Sequence, residues 1–255
     1  MRTDHDTELI AADAVVFDID GVLIDTSESY RRAIVETVDR VHRRTIRRVD
    51  VLAFKRAGGF NDDWAVTTAV ARYVVATTEG YAEPPAEFAD RIAEAGGGLD
   101  GARTVLRSAL SARARQRVEN AVDADGLRDV FQALYLGTDA YERLEGGEPP
   151  VDAPGFLHDE PVVIDAATVE ALDGYGCGVL TGRPTAEADI ALARTPLVVP
   201  REHRVTRDDP FPGKPDPAGL VALADRLDAT RVAYADAGAT LVLPDVTALP
   251  ARLAD

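Results

Sequence analysis

AVVFDIDGVLIDT occupies Ala14 to Thr26. The run Ala14 to Asp18 contains adjacent Val15, Val16 and Phe17 and is bounded by acids and by Gly21, the pattern of a strand buried on both faces. Side chains two residues apart on a strand point the same way, so Asp18 and Asp20 can approach one site where the strand gives way to its loop. Gly21 lets the backbone turn sharply there. Two carboxylates so placed can hold a hard divalent cation, or one can attack phosphorus while the other shuttles the leaving-group proton. On their own they are equally a solvated turn.

Working outward, the character changes at Ser27 to helical periodicity that lasts to about Tyr141, with Tyr30, Ile34, Val38 and Val41 at three- and four-residue spacing. The spacing predicts further helices over Asp62 to Thr77, Pro85 to Glu94, Gly101 to Val122 and Gly126 to Tyr135. Gly58-Gly59 and Gly96-Gly97-Gly98 read as helix-connecting loops, and the proline-rich Glu145 to Pro161 ends the helical block. Strand and helix then alternate: Pro161 to Ile164, a helix capped by Asp165, a strand over Gly178 to Leu180, and a helix over Thr185 to Arg194. Val198-Val199, Val205 and Val232 to Ala235 are further short strand candidates. Such alternation implies an α/β fold with a Rossmann-like parallel sheet, whose ligands bind outside the carboxyl ends of the strands. The expected organisation is a core of residues 1–26 and 158–255 interrupted by a helical cap with its return linker, residues 27–157.

Two downstream motifs strengthen the acid pair. Thr181 in VLTGRP follows an apolar strand, and its hydroxyl with the Gly182 N–H can take phosphate oxygens at a helix start. Lys214 in PFPGKPDP sits in a stiff proline-glycine loop, and only it and Lys55 are lysines in a chain that otherwise uses arginine, which suggests a role for a compact ammonium. FDIDGVLIDT, LTGRP and GKPDP, in this order around a helical insertion, closely resemble the haloacid dehalogenase-like (HAD) hydrolase superfamily, in its members with a small helical cap. The resemblance implies Asp18 as nucleophile, Asp20 as general acid/base, Thr181, Gly182 and Lys214 as phosphate binders, and Mg2+ as cofactor bound by Asp18 and Asp20. An acid at position 20 also separates the chain from the family's true dehalogenases, which lack it. The implied reaction is hydrolysis of a small phosphorylated metabolite through an aspartyl-phosphate. A phosphomutase, and a weakened or inactive protein that binds a phosphorylated ligand without turnover, are the alternatives. GGFNDDW in the cap loop, Gly58 to Trp64, resembles an archaeal and cyanobacterial branch. In the cap loop Lys55 to Trp64, Arg56 and Asn61 are candidates for touching substrate, against ordinary helix capping by Asn61 and Asp62; Arg183 either binds phosphate or caps a strand end.

The family's fourth motif supplies an acid pair to the metal site, and here the pattern departs. In Val232 to Thr240 the usual glycine is Ala235, Asp236 is the one candidate metal ligand, and Ala239, Thr240 and Leu241 stand where a second acid is expected. A second reading deletes the motif, making Ala239 to Leu243 the last strand and Tyr234 to Gly238 the end of the helix before it.

Composition bounds the rest. With 255 residues, 46% of them hydrophobic, the chain can bury a full core. Its net charge of −16 disfavours nucleic acid and anionic membrane as partners, and the scarcity of lysine beside a dense acidic coat points to a salt-rich cytoplasm, with codon bias toward arginine as the plain alternative. The N-terminus has the acids, not the bases and apolar run, of a non-secreted chain. The single Cys177 leaves no disulfide framework, and the four histidines lack ligand spacing.

Overall fold

The structure, a computed structural model, describes residues 10–60, 62–235 and 246–254. The chain divides into two compact units, Met1–Thr26 with Glu160–Asp255, and Ser27–Asp159.

The first unit is an α/β core. Its strands are β1 (Ile10–Ala11), β2 (Ala14–Phe17), β3 (Gly176–Leu180), β4 (Arg204–Val205), β5 (Val232–Ala235) and β6 (Leu253–Ala254). Four of them form a parallel sheet in the order β4-β3-β2-β5, and β1 pairs with β6 separately, also in parallel. β2 is central, and its residues 14–17 are wholly buried. The period-2 alternation divides its side chains between two apolar layers. Val15 and Phe17 join Ile19, Leu23, Val179 and Leu192 on one face, while Val16 joins Leu180, Val205 and Leu223 on the other. Each such side chain contributes about 1.5–3 kcal/mol by leaving water, which fixes the register of the strand that carries Asp18.

β5 corrects the helix-end part of the deletion reading. Ala14 to Phe17 pair in register with Val232 to Ala235, so Tyr234 and Ala235 belong to a strand beside β2 and not to a helix end. Val232 and Tyr234 pack on the layer containing Val16, and Asp13 pins the strand's entry by accepting the Thr230 and Arg231 N–H groups on Oδ2 at 3.2 and 3.0 Å. Asp236, Ala239, Thr240 and Leu241 to Leu243 lie outside the described residues. Val198-Val199 is not a strand: Val198 is 87% exposed and Val199 is buried, its carbonyl taking an Arg204 Nε–H at 2.7 Å. Pro161 to Ile164 is a connector that pairs back on the loop after β2, through Asp25 N–H to Pro161 O and Val163 N–H to Leu23 O, each 2.9 Å.

The second unit is all helical: α1 (Ser29–His42), α2 (Val51–Arg56), α3 (Asp63–Thr78), α4 (Pro85–Glu94), α5 (Gly98–Ala109), α6 (Ala112–Ala121), α7 (Ala124–Leu136) and α8 (Thr138–Leu144). Apolar α3 lies at its centre, buried from Val66 to Val74, and an aromatic cluster of Phe54, Tyr73, Tyr81 and Phe88 fills the space between α2, α3 and α4. The single helix expected over Gly101 to Val122 is two helices. Leu110 is extended, and the Ser111 hydroxyl starts α6 by accepting the Ala114 N–H at 3.2 Å. The two glycine loops dock on each other, Gly98 N–H donating to Gly58 O at 2.8 Å.

The core is completed by α9 (Ala166–Ala171), capped by Asp165 as expected, α10 (Thr185–Leu192) and α11 (Ala218–Arg226). Among the described residues no helix is long and apolar enough to cross a membrane.

Candidate active site

The carboxyl ends of β2 and β3 bring the predicted core residues together. Asp18 directly follows β2, its N–H donating to Ala235 O at 2.9 Å, so strand pairing with β5 sets its backbone. The chain then closes a tight turn in which Ile19 O accepts the N–H groups of Val22, Leu23 and Ile24. Gly21 takes φ +75°, a conformation L side chains rarely adopt, and its N–H reaches Ile24 O at 2.8 Å. This turn carries Asp20, whose side chain is about one-third exposed, whereas Asp18 is buried.

Lys214 reaches Asp18 from a loop far away in sequence, its Nζ lying 2.5 Å from Oδ2. The other oxygen, Oδ1, accepts the Ile19 N–H at 2.7 Å. Burial pushes the Asp18 carboxyl above its ordinary value, and the Lys214 ammonium pulls it back only in part. A buried carboxylate held by one ammonium at a strand end is equipped to act as an oriented nucleophile.

Thr181 is buried just past β3. Its N–H donates to Val205 O at 3.0 Å, and its hydroxyl oxygen accepts the Arg183 N–H at 3.2 Å. A Cβ placed on Gly182 would meet nothing within 4 Å, so its backbone borders open space. Arg183 turns inward. Its Nε donates to Asp20 Oδ1 at 2.7 Å and its Nη2 to Glu160 Oε2 at 3.1 Å. Glu160 is a fully buried acid that sequence reading did not select; the abrupt return to apolar sequence at Pro161 was the one sign that this acid enters the core. In the helical unit Arg56 is the exposed last residue of α2, Lys55 is engaged by Asp63 at 2.8 Å, and Asp62 caps α3 by accepting the Ala65 N–H at 2.8 Å. Asn61, the substrate candidate of the cap loop, and Asp236, the candidate metal ligand, lie outside the described residues.

Comparison with known proteins agrees with this architecture. The chain is similar to a phosphatase from Thermococcus thioreducens, with 24% identity over 93% of this chain and 98% of that one and a TM-score of 0.65. A structural-genomics target of known structure matches at 16% identity over 83% of this chain and 77% of its own, with a TM-score of 0.60. No curated protein sequence matches the chain. The model of haloacid dehalogenase-like hydrolases matches residues 12–240. That span takes in Asp18, Asp20, Thr181 and Lys214 together with the whole helical insertion, and the chain belongs to the haloacid dehalogenase-like hydrolase family.

Proposed function

We propose that the chain is a magnesium-dependent phosphomonoesterase acting on a small phosphorylated metabolite in the cytoplasm, with the helical unit serving as its cap. The observation that carries this reading is the buried Asp18 held on Lys214, with a second carboxylate, Asp20, two residues on in a glycine-made turn. The phosphatase from Thermococcus thioreducens shares the fold, which supports the same reaction class.

The donor set suits magnesium, a hard cation commonly held by one or two carboxylates, several waters and a substrate phosphate. Among the described residues no third acid, histidine or cysteine joins Asp18 and Asp20, so these two would hold the ion, Asp18 through its carboxylate and Asp20 through an oxygen that leaves its carboxyl proton free to transfer, and the ion when bound offsets charge on the phosphate oxygens. Thr181 Oγ1, the Gly182 N–H and Lys214 would orient the phosphoryl group. An Asp18 carboxylate oxygen forms a bond to phosphorus as the ester P–O bond breaks, and Asp20 in its acid form gives its proton to the leaving oxygen. Asp20, now a carboxylate, then takes a proton from water as that water's oxygen bonds to phosphorus. The acyl-phosphate P–O bond breaks, releasing inorganic phosphate and restoring Asp18.

Hydrolysis of p-nitrophenyl phosphate with magnesium in molar KCl tests this, with Asp18→Asn alongside. The wild type should turn over and the variant should lose about a thousandfold or more, as for removal of a covalent nucleophile. Equal activity in the two sinks the nucleophile assignment, and no activity in either favours ligand binding without turnover.

A further inference from the structure

We propose that Arg183 is a positioning residue that holds the Asp20 carboxylate in its working orientation, an inference that rests on the acid/base role proposed for Asp20. The guanidinium is 2% exposed and spans two carboxylates, donating through Nε to Asp20 Oδ1 at 2.7 Å and through Nη2 to Glu160 Oε2 at 3.1 Å. The Glu160 side chain is wholly buried and is braced from behind by Arg194, whose Nη1 lies 3.9 Å from Oε2 and whose Nη2 donates to the Glu160 carbonyl oxygen. Glu160 is also the first residue of the returning core segment, adjoining the Pro161 carbonyl that accepts the Asp25 N–H. The anchor therefore belongs to the same turn-and-connector assembly that carries Asp20.

A guanidinium is rigid and planar, so fixing Nη2 on a buried anchor also fixes the direction of the Nε–H bond. Asp20 has two rotatable side-chain bonds and sits on a partly exposed turn, and this one directed donor selects its rotamer and keeps Oδ1 turned inward. An ammonium at position 183 could not hold both carboxylates with the same geometry. The arrangement also argues against direct phosphate binding by Arg183. Its Nε and Nη2 are committed to two carboxylates and its Nη1 is buried from solvent, and a buried ion pair broken on one side leaves an uncompensated charge.

Steady-state kinetics of Arg183→Met with p-nitrophenyl phosphate test the proposal, alone and in the Asp20→Asn background. Because Arg183→Met strands the buried Glu160, the paired variant Arg183→Met/Glu160→Gln is made as well, so that a folded protein with no isolated buried charge is available. The expected result is a fall of about a hundredfold in kcat, the lower range of general acid–base contributions. KM and the inhibition constant for inorganic phosphate should stay within about threefold, and the Asp20→Asn background should suffer no comparable further loss. Arg183→Lys should restore part of kcat. A kcat near wild type overturns the proposal, as does a roughly tenfold weaker phosphate inhibition with kcat held, or an undiminished loss in the Asp20→Asn background. An inactive wild type instead overturns the phosphatase reading, and this proposal with it.

Discussion

At the scale of single residues, the opposing effects on Asp18 set a pH signature. Burial favours the neutral acid, the Lys214 ammonium favours the carboxylate, and burial wins, so the group takes up a proton at a higher pH than the ordinary 3.8. A nucleophile must be ionised, so kcat/KM should fall on the acid side as Asp18 takes up its proton, an uptake that burial favours and that the Lys214 ammonium and a bound magnesium oppose. Lys214→Met removes the only opposing cation in contact with Asp18 among the described residues and should move that acid limb to higher pH, besides lowering kcat/KM by about a hundredfold or more through loss of the proposed phosphate contact. A limb that stays in place or moves down in Lys214→Met would contradict the assignment of that limb to Asp18. Asp18, Asp20, Thr181 and Lys214 were legible in the sequence because each sits in a short motif whose local turn or strand end dictates its placement. Glu160 was not, because a buried acid looks like any of the 44 acidic residues until its partners Arg183 and Arg194 are brought to it by the fold.

At the scale of elements, the helical unit depends on a contact between two loops. Gly97 has φ +80°, and a Cβ there would lie 2.7 Å from Gly58 O, while Gly59 and Gly98 are equally closed off by each other's backbone. Gly146 has nearly the same φ, +77°, but a Cβ on it would meet nothing within 4 Å. Gly97 also has ψ 177°, where essentially only glycine is found. Gly146→Ala should destabilise by about 1 kcal/mol, and Gly97→Ala by a further 1–3 kcal/mol or so because its backbone strain is greater and backbone must yield to backbone. Urea unfolding of the two variants measures the difference, and equal midpoints would show that the loops do not interlock in solution. Both loops were visible in sequence as glycine-rich breaks, but their mutual docking joins segments about forty residues apart and leaves no local trace. The same distinction explains the other elements. β2, α4 and the strand candidate Val232 to Ala235 follow from local pattern, the break before α6 from the capping hydroxyl of Ser111, and the choice between strand and helix end at Tyr234-Ala235 from pairing with β2.

For the whole molecule the dominant fact is charge. A net −16 on 255 residues makes self-repulsion a term that opposes folding, since the unfolded chain spreads the same charges farther apart. Many surface ion pairs, such as Arg91 with Glu83 and Arg204 with Asp189, work the other way, but exposed pairs are individually weak and salt weakens them too. Added salt therefore acts on two terms of opposite sign, and the excess of acids over bases decides in favour of stabilisation. The thermal midpoint should rise as KCl goes from about 0.1 M toward 1 M, where the screening length falls from about 10 to about 3 Å. Repulsion is then largely removed, so a midpoint that levels off near 1 M identifies screening as the whole effect. A midpoint that continues to climb at 2–3 M requires the acidic surface to be stabilised through hydration by concentrated salt, the behaviour expected of a chain adapted to a salt-rich cytoplasm. A flat or falling curve would remove the salt-adaptation reading, leaving the predominance of arginine over Lys55 and Lys214 as a matter of codon usage.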